Sequence, residues 1–225
     1  MAAGLALFAV LFSGNVMAEV RLLAFGDSLT AGFGLPANQS FPAQLERALR
    51  KRGHAVAVIN GGYSGDTTAA GLARLDWSLA DNPDGGILEL GANDALRAVN
   101  PAQTFANLDA ILSRLTDRGL PVLFAGMRAP PNLGSEYAKA FAGVFERLAE
   151  RHTVLYYEFF LEGVASMPQF NQPDGIHPTA EGTLRIVERI LPQVEQLIAR
   201  IKDGGRKQAE GGVAERAAAT PAGRR

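Results

Sequence analysis

Cysteine is absent from the sequence. That rules out disulfides and thiolate metal sites, and it leaves an oxidising compartment open without requiring one. Histidine is scarce, with three residues, and no H-E-x-x-H or close histidine pair exists to hold a catalytic metal. No G-x-S-x-G elbow occurs either, which argues against the α/β-hydrolase arrangement. An excess of either charge is missing: a formal net charge of -1 gives no electrostatic attraction to nucleic acid or anionic membrane. Long apolar runs are missing as well. The run GLALFAVLF (residues 4–12) falls well short of the about 20 residues needed to span a bilayer.

That short run has another use. It is followed by SGNVMA, with small residues at Val16 and Ala18, which is the layout of a secretory signal peptide cleaved after Ala18. No Lys or Arg precedes the run, so the terminal amine supplies the only positive charge there. The expectation is an exported protein, periplasmic or secreted, with no stable membrane anchor after cleavage. At the other end, residues 202–225 are small, charged and Gly-interrupted, and cannot offset the entropy of ordering. The expected divisions are a signal segment at 1–18, one domain at 19–201 and a disordered tail at 202–225. At 47% hydrophobic and 20% charged, the chain has ample apolar surface for a single core.

Within the domain, short apolar runs alternate with longer amphipathic ones. VRLLAFG (20–26), HAVAVIN (54–60), GGILELG (85–91), LPVLFAG (120–126) and TVLYYEF (153–159) read as five strands. They are mostly apolar rather than alternating, as suits a parallel sheet covered on both faces. The intervening segments 41–53, 66–80, 101–119 and 135–152 carry apolar residues at helical spacing, two of them running into Gly53 and Gly119 as stops. A last helix is expected at 179–200. This order predicts an α/β fold: a three-layer αβα sandwich around a doubly wound parallel sheet.

In such sheets, ligands bind outside the carboxyl ends of the strands. Those ends carry Gly26-Asp27-Ser28, then GGYSGDTT (61–68), then Gly91-Ala92-Asn93-Asp94, with a later loop delivering PDGIHP (173–178). These are the ingredients of acyl transfer: a nucleophile, a base, an orienting carboxylate and oxyanion donors. Among the histidines, His54 opens a strand at the far edge and His152 ends a helix. His177 stands in a loop three residues after Asp174, where Gly175 allows a tight turn and Pro178 suits a helix's first turn. Such a turn lets the carboxylate fix the imidazole tautomer and leaves Nε2 free to take a proton. Competing roles exist for each residue. Ser28 could cap a helix, Gly65 could be turn punctuation, Asn93 could satisfy a strand end, and His177 could be an ordinary loop residue. Asp66 reads as the N-cap of the following helix, and Asp27 and Asp94 as structural hydrogen-bonders.

The blocks FGDSLTAGFG, GGYSGDTTAAGLARL, LELGANDALR and DGIHP resemble those of the SGNH (GDSL) hydrolase superfamily. They are most similar to its bacterial periplasmic thioesterase I, lysophospholipase and arylesterase group, over about residues 20–200. The resemblance implies Ser28 as nucleophile and His177 as base oriented by Asp174. It also implies an oxyanion hole from the N–H groups of Ser28 and Gly65 and the Asn93 side chain. A flavodoxin-like strand order 2-1-3-4-5 and the absence of any cofactor follow from it too. The implied substrates are small acyl esters or thioesters, lysophospholipid among them, and the implied activity is a serine esterase or thioesterase.

Leu96 and Val99, after the third strand, are expected to border an acyl trough with Phe33 and Leu35 opposite; the alternative is that they are core residues at a helix start. A carbohydrate O-deacetylase on the same scaffold is the principal rival, disfavoured by the absence of aromatic-rich insertions that would stack sugars. A nucleotide-binding module is the other, since GFGLPA (32–37) fits G-x-G-x-x-A; Pro36 lies inside that match and no strand immediately precedes it.

Overall fold

A computed structural model describes residues 19–218. The proposed signal segment (1–18) lies outside the described residues. Five parallel strands form one sheet in the order β2-β1-β3-β4-β5: β1 (Val20–Gly26), β2 (Val56–Gly62), β3 (Gly85–Glu89), β4 (Val122–Ala125) and β5 (Leu155–Tyr157). Six of the seven β1 residues are buried, which is the price of lying between two neighbours with helices over both faces. The expected order and architecture are those observed. The strand ends differ by a few residues: β2 starts later and runs through Gly61 and Gly62, while β3 stops at Glu89.

The helices come from the amphipathic segments. In α2 (Phe41–Lys51), Phe41, Leu45 and Leu49 recur on one face and are buried. The segment before β3 supplies α3 (Thr68–Ser78), and those after it α5 (Pro101–Asp117) and α6 (Ser135–Arg151). At the start of α5, the Asn100 side chain accepts from Ala102 N–H and Pro101 occupies the first turn, where its missing donor is harmless. Helix α2 packs on α7 (Ala180–Ala218), while α3 and α6 each pack on α5, giving one helical layer on each side of the sheet. The core stripe of α7 ends near Ile198, yet its helical backbone continues past Ile201, into the segment read from sequence as a disordered tail. Alanine, glutamate, arginine and lysine in that segment favour helix locally. Residues 219–225 lie outside the described residues.

Two short helices were not expected: α1 (Ser28–Ala31) directly after β1, and α4 (Ala92–Leu96) directly after β3. Both are too short for a periodic signature. They occupy the crevice where the chain switches direction, since β1 connects onward to β2 on one side and sits against β3 on the other. Across the sheet the register aligns Gly62, Gly26 and Glu89 in one row at the carboxyl ends.

Gly62 lets α1 sit down on this row. A Cβ there would overlap the backbone N and Cα of Ala31 and lie 2.9 Å from Asp27 O. Gly62→Ala is therefore expected to cost about 1–3 kcal/mol by overpacking, read as a Tm loss of roughly 2–12 °C. Gly143→Ala, in the middle of α6 with open space around it, should instead stabilise by about 0.5–1 kcal/mol. Equal Tm changes in the two variants would contradict this packing account.

Candidate active site

The turn Gly26-Asp27-Ser28 converts a buried strand into a short helix within a single residue. Asp27, not Ser28, is the N-cap: its Oδ1 accepts from Leu29 N–H at 3.0 Å. Ser28 thereby begins the helix, and its Oγ remains available to other partners. That hydroxyl lies 3.0 Å from His177 Nε2. On the other side of the ring, Nδ1 lies 2.7 Å from Asp174 Oδ2. The three residues set apart in sequence by 149 positions thus form one hydrogen-bonded chain.

The loop bearing the imidazole is held from several directions. Asp174 Oδ1 accepts from the backbone N–H groups of Ile176 and His177, at 2.9 and 3.0 Å, while Gly175, next to Asp174, takes φ +70. Those bonds, that from the imidazole foremost, hold the Asp174 carboxyl down at about 2. The loop closes on itself through Gln172 N–H donating to His177 O at 2.7 Å. Gln172 Nε2 also donates to Phe33 O at 2.8 Å and Pro178 O at 2.9 Å, tying the loop to the segment after α1. Phe33 packs its ring on that of His177, centroids 4.4 Å apart. Helix α7 begins at Ala180 rather than at Pro178, with Thr179 Oγ1 accepting from Gly182 N–H. Gln172 carries no signal in spacing or composition, and sequence reasoning missed it.

Asn93 lies in α4, and its Nδ2 donates to Asp27 Oδ2 at 3.2 Å. An amide nitrogen has two hydrogens, so one remains to donate elsewhere. Asp94 is structural, as expected: it accepts from Thr68 N–H, Thr68 Oγ1 and Thr104 Oγ1, joining α3, α4 and α5. Asp66 does not cap α3. Thr67 does, accepting from Ala70 N–H, because Asp66 is drawn into an ion pair with Arg74. Gly65 takes φ +89 in the loop between β2 and α3, and its carbonyl accepts from Arg97 Nη2 at 3.0 Å. The remaining histidines are hydrogen-bonded to carboxylates elsewhere, His54 to Glu195 and His152 to Asp109.

Beside Ser28 and Asn93 opens a cleft of about 490 Å³. Leu96 borders it. Leu35 and Val99 do not, nor does Gly65, and Phe33 acts instead as the packing partner of His177. Val99 is turned back by the chain reversal at Ala98 (φ 49): its N–H donates to Asp94 O and its carbonyl accepts from Tyr137 Oη. The far wall comes from Met127, Ala129, Pro130 and Pro131 after β4, with Leu161 after β5 and Ile176 of the imidazole loop. The rule that placed Ser28 and Asn93 at strand ends points equally to the MRAPP stretch, since it directly follows β4.

Under the cleft lie two buried carboxyls. Burial raises that of Asp27, against the lowering effect of hydrogen bonds from Leu29 and Asn93. Glu89, fully buried, is raised well above its ordinary value by desolvation and then by the nearby Asp27. Among the described residues, no group of three or more potential ligands could hold a metal ion, and no helix is long and apolar enough to cross a membrane.

Known proteins share this arrangement of chain. An arylesterase of Vibrio mimicus is 41% identical over 178 residues, covering 79% of this chain and 89% of that protein. The thioesterase 1/protease 1/lysophospholipase L1 of Escherichia coli K12 is 36% identical over 193 residues, covering 85% and 91%. The crystal structure of AlinE4, an SGNH-hydrolase family esterase, superposes with a TM-score of 0.68 at 46% identity, over 79% of this chain and 96% of that one. Residues 24–184 match the GDSL-like lipase/acylhydrolase family, and that span holds Ser28, Asn93, Asp174 and His177 alike. By sequence and by fold, the chain belongs to that family.

Proposed function

We propose that the chain is a serine-dependent hydrolase of small carboxylic esters and thioesters, working through an acyl-enzyme at Ser28. The observation that carries this reading is the continuous chain from Asp174 through His177 to the Ser28 hydroxyl, with separations of 2.7 and 3.0 Å. The ionised Asp174 carboxylate keeps the Nδ1 proton in place and supports the imidazolium. His177 Nε2 takes the serine proton as Oγ attacks the acyl carbonyl, then delivers it to the leaving alcohol or thiol. Water, deprotonated by the same imidazole, releases the acid. The free Nδ2 hydrogen of Asn93 and the N–H groups of Ser28 and Gly65 are the proposed oxyanion donors, Gly65 resting on family resemblance alone.

The apolar cleft suits an acyl chain, and the relatives' names (arylesterase, thioesterase, lysophospholipase) point to substrates of this kind. Lysophospholipid is among the proposed substrates. The apolar N-terminal run supports export, to the periplasm or outside the cell. No cofactor, nucleic-acid partner or lasting membrane anchor belongs to this reading.

The test is a panel of p-nitrophenyl esters and acyl-CoA thioesters of varied chain length, with an O-acetylated sugar included. Hydrolysis of the esters and thioesters, abolished in Ser28→Ala, is the expected outcome, with Leu96→Ser shifting preference toward shorter chains. Turnover of the acetylated sugar alone would favour the deacetylase reading. Asn93→Ala should lower kcat by roughly 10²–10³ with KM little changed; full kcat on a short ester would remove Asn93 from the oxyanion site.

The depressed Asp174 carboxyl sets a pH expectation. A carboxylate whose folded value lies below its unfolded 3.8 contributes stability above that pH and loses it as pH falls toward about 2. Asp174 therefore stays ionised through the working range, and the acid limb of kcat/KM should carry no contribution from this carboxylate until pH falls toward about 2. A limb with two-proton slope between about pH 3 and 5 would show the carboxylate titrating as well.

A further inference from the structure

Helix α1 spans four residues, Ser28–Ala31. A helix so short cannot hold itself together in water, because fixing the first turn costs more than its few hydrogen bonds return. Its internal bonds are few: Ala31 N–H donates to Asp27 O at 2.9 Å and Gly32 N–H to Ser28 O at 3.1 Å. Something outside the helix must fix it, and the fixing must be accurate, since it carries the Ser28 hydroxyl.

The outside anchor is Glu89, the last residue of β3, with no exposed surface. Its Oε2 accepts from Thr30 Oγ1 at 2.8 Å and faces Asp27 N–H at 3.4 Å. These partners bracket Ser28, one residue before it and two after. Gly26, opposite Glu89 in the strand register, leaves the room: a Cβ on it would overlap the Glu89 carboxyl, the Glu89 backbone oxygen and Thr30 Oγ1 together. The other carboxyl oxygen, Oε1, is buried with no hydrogen-bond partner. The proposed catalytic steps use none of these atoms.

We propose that Glu89 is a positioning residue for the hydrolase reaction: its carboxyl clamps the first turn of α1 from below and so sets where the Ser28 hydroxyl stands. This rests on Ser28 being the nucleophile. The clamp works as the neutral acid. The charged groups around it are Asp27 on the adjoining turn and, farther out, Arg74 of α3 at the Gly26 carbonyl. Arg74 is committed to Asp66, Ser78 and the Gly26 carbonyl, and none of its bonds goes to Glu89. Burial without a cation, next to a second carboxyl, favours the protonated form. An ionised Glu89 would push against Asp27, which holds both the helix cap and the Asn93 amide.

An acid clamp that works uncharged should be replaceable by its amide. Glu89→Gln keeps an acceptor for Thr30 and for the Asp27 N–H, and is expected to retain kcat on a short p-nitrophenyl ester within about threefold. Glu89→Leu keeps the bulk and removes the acceptor; misplacing the nucleophile by a fraction of an ångström should cost up to roughly 10²-fold in kcat with KM little changed. Glu89→Gln losing as much as Glu89→Leu, or a folded Glu89→Leu keeping wild-type kcat, overturns the proposal. Where Glu89→Leu does not fold, Thr30→Val carries the same test: a fall in kcat at steady KM supports the clamp, and unchanged kcat overturns it.

A second readout is independent of turnover. A carboxyl raised in the folded state makes stability fall as pH climbs above its ordinary 4.5. The Tm of Glu89→Gln should therefore gain on that of the wild type as pH rises from about 5 to 8, and a constant difference overturns the neutral clamp. Ser28→Ala separates the two readings. If it still hydrolyses esters, the nucleophile assignment falls, while the Tm comparison still judges the state of Glu89.

Discussion

The close approach of three strand ends governs this site. Gly62, Gly26 and Glu89 stand side by side across the sheet, and the two glycines allow a helical turn to settle directly on their row. A side chain at either would lift that turn, and with it the hydroxyl that faces the cleft. The parallel sheet supplies the rigidity. Its inner strands β1, β3 and β4 are buried on both faces, and its edge strands β2 and β5 are half-buried. The helical layers cover them with apolar stripes at helical spacing. The chemistry is therefore mounted on the part of the molecule least able to move, which is what a reaction sensitive to ångström errors requires.

Around that mounting, carboxylates do unlike work according to their surroundings. Asp174 is accessible and receives three hydrogen bonds, so it stays charged and orients the imidazole. Asp94 is buried but surrounded by donors from Thr68 and Thr104, and serves to pin three helices. Asp27 both caps α1 and holds the Asn93 amide, joining the hydroxyl to the amide that would stabilise its product. Glu89 has fewer donors and no cation, and burial raises its carboxyl well above the ordinary range. Solvent access and donor count, more than residue type, decide each role.

The fold was legible because its signals are long. Five apolar runs separated by amphipathic segments, with glycine stops after two of them, admit few arrangements other than a doubly wound sheet. The short helices after β1 and β3 were not legible, since four or five residues carry no period. Ser28 and Asn93 stood out as polar residues directly after apolar strands, and the DGIHP loop as a histidine closely following an aspartate. What the sequence hid was direction. Leu35 and Val99 look as apolar as Leu96, but a backbone reversal at Ala98 takes Val99 away from the cleft. Asp66 looks like a cap, and only the tertiary placement of Arg74 turns it aside. Glu89 left one readable trace, a single acid inside an otherwise apolar strand.

The imidazole is carried differently from the hydroxyl and the amide. It belongs to no strand or helix, and Gln172, a two-residue bridge between Asn171 and Pro178, and the Phe33 ring hold its loop in place. Those ties lie mostly at the surface, where heat loosens them before it loosens the sheet beneath. Heat should then silence such a molecule reversibly, by loosening one surface segment, at temperatures where its secondary structure still reads as native.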